Sequence, residues 1–164
     1  MTARLSSTII EDVAYVTRRM RPDEIAQFLA LTNLTEYDPD VAARALLAIR
    51  GPSFTAMGDD GLPFCVAGFE PVSPGVWQPW MAGTMEGWDK HWRFITKTTR
   101  RWMDQLFDNG ARRIQTFALA SRKDAHEWYA RGMQQQFEGL HRQWFADGQD
   151  AVCYARVRGD RDGR

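Results

Sequence analysis

The densest run of chemistry-bearing residues is Met81-Ala82-Gly83-Thr84-Met85-Glu86-Gly87-Trp88-Asp89-Lys90, with Arg93 close behind. Gly83 and Gly87 leave backbone amides unshielded ahead of a long helical pattern, and free amides at a helix N-terminus attract anions. Lys90 and Arg93 add positive charge there. Glu86 and Asp89 oppose it, and the competing reading is a glycine-containing loop whose acids cap a helix. Tyr129 lies in Asp124-Ala125-His126-Glu127-Trp128-Tyr129-Ala130-Arg131-Gly132-Met133. A phenol is protonated at neutral pH and can donate a proton; the competing reading is that Tyr129 and Trp128 cover a sheet. Glu70 closes an apolar run as a strand-end carboxylate, able to accept a proton or simply to face water. His91 and His126 stand apart from any Cys, Asp or Glu spacing that reads as a metal site or a triad. Lys90, Arg93, Lys97, Arg100, Arg101, Arg112 and Arg113 concentrate basic charge, which Asp89, Asp104 and Asp108 partly balance. A solvated helix face explains that most simply, with the phosphates of a ligand or an acidic partner surface as the alternatives.

Composition narrows the class of molecule. A chain of 164 residues with 44% hydrophobic content reads as one globular domain over residues 1–157, with a charged flexible tail at 158–164. The 21 basic and 21 acidic residues cancel, which argues against a nucleic-acid binder. No apolar stretch approaches the roughly 18 residues of a membrane span, and Met1 to Ser7 lacks the apolar core of a secretory signal. Cys65 and Cys153 are far apart within apolar segments, as expected of buried thiols. Seven Trp and nine Phe supply large apolar areas to a core. An exposed Trp77 or Trp80 would instead suit a protein contact.

The elements that must position these side chains follow from periodicity. Thr8 to Val16 carries the β-branched residues of a strand. Pro22 with Asp23 and Glu24 opens a helix through Ile25, Phe28, Leu29 and Thr32, and Asp38-Pro39-Asp40 opens a second that Gly51-Pro52 stops. Phe54 to Met57, Leu62 to Val72 and Val76 to Met81 form a meander, turning at Gly58-Asp59-Asp60-Gly61 and Ser73-Pro74-Gly75. Trp88 to Phe107 is the strongest helix, with Trp88, Trp92, Ile95, Thr99, Trp102, Met103 and Leu106 on one stripe. Asn109-Gly110 ends it. Arg113 to Leu119 is a strand, Ser121 caps a helix to about Arg131, and strands follow near Phe137 to Phe145 and Ala151 to Val157.

This order, β-α-α-β-β-β-α-β-α-β-β, resembles the GCN5-related N-acetyltransferase (GNAT) superfamily over Thr8 to Val157. The resemblance implies an α/β (α+β) fold: a mixed, mostly antiparallel sheet with helices on both faces. It also implies a coenzyme A site after the third meander strand, involving Trp80, Met81, Gly83, Gly87, Lys90 and Arg93. The family pattern there is Gln or Arg, two residues, Gly, any residue, then Gly or Ala. Here the leading residue is absent and the glycine spacing differs. Ala125 and Tyr129 match a family helix, which implies Tyr129 as the general acid for a departing thiolate, and Glu70 stands near a position that supplies a base. Trp80 to Gly132 more narrowly resembles GNAT-like proteins of tailed bacteriophages. That likeness implies a virion-associated structural or assembly component needing no cofactor, made in the host cytoplasm, with other phage structural proteins as partners. The alternative is an N-acetyltransferase using acetyl-coenzyme A.

Overall fold

The computed structural model describes residues 3–159. Its centre is β3, Pro63–Ser73. Alternate β3 residues serve opposite layers, as a pleated strand dictates. Val66 packs with Val13, Val16 and Ala42 on one side, whereas Cys65, Ala67 and Phe69 pack with Ile95, Met103 and Phe107 on the other. Around it run β1 (Arg4–Ser6), β2 (Ser53–Met57), β4 (Val76–Gly83), β5 (Arg113–Leu119), β6 (Gln136–His141) and β7 (Ala151–Val157). They form one seven-stranded sheet in the order β1-β2-β3-β4-β5-β7-β6. Every ladder is antiparallel except that between β4 and β5. The mixed, mostly antiparallel sheet with helices on both faces is therefore as expected.

The first strand is corrected. Ile10–Thr17 is a helix, α1, and the strand lies earlier, at Arg4–Ser6. Val13, Val16, Thr17 and Met20 are buried at three- and four-residue steps, and Val13 and Val16 pack with Ala42 and Ala43 of a later helix. Tertiary burial of that stripe outweighs the β-preference of the individual residues. Two helices follow where expected. In α2 (Pro22–Thr32) the proline opens the first turn, and in α3 (Pro39–Ala48) the Asp38 carboxylate accepts from the amides of Asp40 and Val41. Three helices thus separate β1 from β2.

The long helix α4 spans Met85–Asp108, capped by the Thr84 hydroxyl. Ile95, Thr99, Met103 and Phe107 form its buried stripe. Trp92, expected on that stripe, is 48% exposed. The expected helix from Ser121 is a short α5, Lys123–Glu127, preceded by Arg122 and continued by one π-helical turn, Trp128–Gly132. The expected strand to Phe145 stops at His141, and Phe145 buries itself against Ala30, Leu119 and Ala151 instead. Arg158, assigned to the flexible tail, is anchored: its amide donates to the Arg112 carbonyl at 2.9 Å and its guanidinium to the Phe107 carbonyl at 2.8 Å. Residues 160–164 of that tail lie outside the described residues.

Candidate active site

β4 and β5 pair at only two positions, Val76 with Arg113 and Trp77 with Ile114, and then part. The edges they turn towards each other beyond that point can be read from the strand ends. The Gly83 amide donates to Glu24 Oε2 at 2.8 Å and the Leu119 amide to Gln27 Oε1 at 2.9 Å, both away from the antiparallel neighbours. Alternate residues of a strand direct their N–H and C=O to the same edge. Met81 on β4 and Phe117 on β5 therefore present backbone donors and acceptors to the gap, where no strand completes the ladder.

The gap opens into a cavity of about 1180 Å³. Trp80, Trp88, Trp92, Phe117, Trp128 and Met103 make it largely apolar, and Glu24, Arg122, Tyr129 and Gln135 contribute polar groups. The Trp80 indole crosses Gly68 so closely that a Cβ there would lie 2.7 Å from the ring. The first turn of α2 straps the open end. Met20 forms an isolated bridge with Thr84, and the Arg21 amide donates to the Gly83 carbonyl at 3.3 Å. Arg122, just beyond β5, reaches Asp23 Oδ2 at 2.7 Å. One short stretch of α2 thus touches the ends of both parting strands.

Glu24 is the distinctive group of this strap. It is 7% exposed, yet it is a carboxylate. Besides the Gly83 amide it accepts the Trp88 indole N–H at Oε1, 2.7 Å away. Burial pushes its carboxyl up to about 7; the Gly83 and Trp88 hydrogen bonds and the nearby Arg122 charge hold it lower than burial alone would. Asp23 beside it contacts both Arg21 at 3.1 Å and Arg122 at 2.7 Å, whereas Glu24 accepts from neutral donors. Burial likewise raises the Tyr129 phenol, against the opposing Arg122 charge, so it stays protonated near neutrality.

The residues singled out by sequence divide into two groups. Glu70, Trp80, Met81 and Tyr129 all line the cavity. Gly83 stands at the strand end with its amide engaged by Glu24, and a Cβ there would lie 2.6 Å from the Trp88 indole nitrogen. Gly87 is enclosed in the first turn of α4, its amide donating to Thr84 Oγ1 at 2.9 Å, and a Cβ would come 2.6 Å from the Phe64 carbonyl oxygen. Lys90 pairs with Glu86 at 2.5 Å on the exposed side of α4. Arg93 lies over the Trp92 ring in a shallow outer groove with Lys97 and Arg100. Gly87, Lys90 and Arg93 do not line the cavity. Thr84 alone separates β4 from α4, so the six-residue phosphate pattern has no loop to occupy. The notch offers an unpaired strand edge at Met81 and the Tyr129 phenol in its wall; a phosphate cradle of the expected kind is not built between Gly83 and Met85.

Glu24, Gln27 and Arg122 are the site residues that sequence reasoning missed. Asp23 and Glu24 follow a helix-opening proline and read as ordinary first-turn acids. Nothing local says that Glu24 turns inward to an amide 59 residues away.

Among the described residues, no helix is long and apolar enough to cross a membrane, and no cluster of three His, Cys, Asp or Glu is placed to hold a metal. No protein-family model matches the chain, and no curated protein matches it. Solved structures do. The GNAT-family acetyltransferase from Bacillus anthracis superposes with a TM-score of 0.73 at 8% identity, over 96% of this chain and 95% of that one. The N-acetyltransferase from Staphylococcus aureus Mu50 gives 0.69 at 13% identity, over 96% and 99%. The ribosomal-protein-S18-alanine N-acetyltransferase from Escherichia coli gives 0.68 at 13% identity, over 95% and 94%. At these identities the likeness shows the fold: the chain has the GNAT fold. It does not reach the narrower expectation of a bacteriophage virion component, which none of these structures supports.

Proposed function

We propose that the protein is an N-acyltransferase that receives an acyl thioester of the coenzyme A type in the notch and passes the acyl group to an amine. The observation that carries this reading is the parting of β4 and β5 after two paired positions, which leaves the Met81 backbone facing a cavity with Tyr129 in its wall. Acetyltransferases with the same fold support it. Acetyl-coenzyme A would supply the acyl group already activated as a thioester. The Met81 amide is the donor for the thioester carbonyl, because a preorganised N–H facing a largely apolar cavity stabilises charge that develops on oxygen. Tyr129 gives its proton to the departing sulfur. With no phosphate loop between Gly83 and Met85, binding rests on the thioester arm.

The test is thermal unfolding with acetyl-coenzyme A. A ligand at 100 times its Kd adds about 2.7 kcal/mol to the folded state, which for a domain of this size raises Tm by roughly 5–10 °C. The expected result is a saturable rise that is lost when Gly83→Leu drives a side chain into the Trp88 indole. An unchanged Tm at millimolar ligand overturns the reading.

A further inference from the structure

We propose that Glu24 is the proton acceptor for the incoming amine, and that the acceptor substrate is a primary ammonium with an apolar or aromatic body. The inference rests on the acyltransferase reading above and adds a residue and a substrate class to it.

Three observations converge on this. First, Glu24 is a cavity-lining carboxylate at the strapped end of the notch, held by the Gly83 amide and the Trp88 indole. Those donors fix its position without neutralising it, and each oxygen keeps lone-pair capacity. Second, Glu24 accepts from neutral donors, unlike its neighbour Asp23. Asp23 is matched by Arg21 and Arg122. Tyr37, Cys65 and Tyr129 also lie within electrostatic reach of Glu24, and burial raises all three, so they are neutral at pH 7. A buried carboxylate of this kind favours a cation. Third, much of the wall is aromatic or aliphatic, with Trp80, Trp88, Trp92 and Phe117 among its lining residues. Such surfaces take an apolar body and attract an ammonium at ring faces. The carboxyl of Glu24, raised to about 7, gains and loses its proton near neutrality, as general-base work at that pH requires.

The step balances without a further reactant. Glu24 removes one proton from the ammonium and later returns it to solvent. The freed amine nitrogen forms a bond to the acyl carbon, and the carbon–sulfur bond breaks. Tyr129 protonates the sulfur, and the second proton leaving nitrogen restores the phenol. The products are an amide and a thiol.

The experiment uses the full chain, acetyl-coenzyme A and 2-phenylethylamine, following thiol release from pH 5.5 to 9 and Tm with each compound. The wild type is expected to show kcat/KM rising through an inflection near pH 7. Glu24→Gln should lose about 100-fold or more in kcat, with KM for acetyl-coenzyme A changed less than about threefold, and Glu24→Asp should recover part of the rate. If this amine turns over too slowly to follow, its binding decides. A rise in wild-type Tm at pH 8 that Glu24→Gln abolishes upholds the proposal, and equal responses overturn it. Turnover with an unshifted pH profile in Glu24→Gln also overturns it while leaving the acyltransferase reading intact. Acetyl-coenzyme A that fails to raise the wild-type Tm overturns both. Should Glu24→Gln not fold, Glu24→Asp takes its place, and a wild-type rate and pH profile in that variant counts against the proposal.

Discussion

A buried carboxylate leaves a mark on stability as well as on chemistry. Glu24 has its carboxyl raised from the ordinary 4.5 to about 7, so between those pH values the folded chain holds a proton that the unfolded chain has released. Stability therefore falls as pH climbs through that window, by roughly 3 kcal/mol at most from this group, and levels off above it. The measurement is urea unfolding from pH 4.5 to 8.5, with Glu24→Gln flattening that component of the slope; a wild-type curve rising steadily through the same window contradicts it. Tyr129 makes a separate prediction. Tyr129→Phe keeps the ring that packs against Trp128 and Tyr154 and removes only the hydroxyl. The expected outcome is a fall in kcat of about 100-fold with acetyl-coenzyme A binding nearly unchanged. A variant that turns over at the wild-type rate removes Tyr129 from the chemistry.

At the scale of elements, the decisive feature is how α2 lies across the ends of β4 and β5. Gln27 accepts the Leu119 amide, and Arg122 ties Asp23 on the far side. Gln27→Ala leaves the Leu119 amide without that acceptor, at a cost of about 1–2 kcal/mol, and amide exchange should accelerate at Leu119 more than at Phe69 in the middle of the sheet. Uniform acceleration would mean that the strap is not a local unit. The junction of β4 with α4 carries a different consequence. Thr84 is the whole connection, and the Gly83 and Gly87 amides already have partners within the chain. Trimming coenzyme A to its pantetheine arm should therefore weaken binding less than tenfold by competition calorimetry. A loss of a thousandfold would show that the nucleotide is gripped elsewhere.

For the whole molecule, much of the architecture is legible from residue pattern. Pro22 and Pro39 sit at helix starts, Gly58-Asp59-Asp60-Gly61 turns a hairpin, and the spacing of Ile95, Thr99 and Met103 marks a helix laid on a sheet. Those signals are local, set by backbone angles and by repeats of 2 and 3.6 residues. Thr8 to Val16 misleads because β-branched residues favour strands, while the burial that makes α1 a helix comes from α3 and β3. The site divides along the same line. Trp80, Met81 and Tyr129 are reachable from sequence because they sit at recognisable element ends, and they do line one cavity. Gly87, Lys90 and Arg93 neighbour them only along the chain and do not line that cavity: a helix turns each residue by about 100° and aims neighbours in different directions. From Pro22 onward, sequence by itself thus determined which segments become strands or helices and the order in which they follow. Only the tertiary structure decided that β4 and β5 part, that α2 bridges their ends, and that Glu24 is sealed against Gly83 and Trp88. Those facts depend on contacts 59 and 64 residues apart, and no local periodicity encodes them.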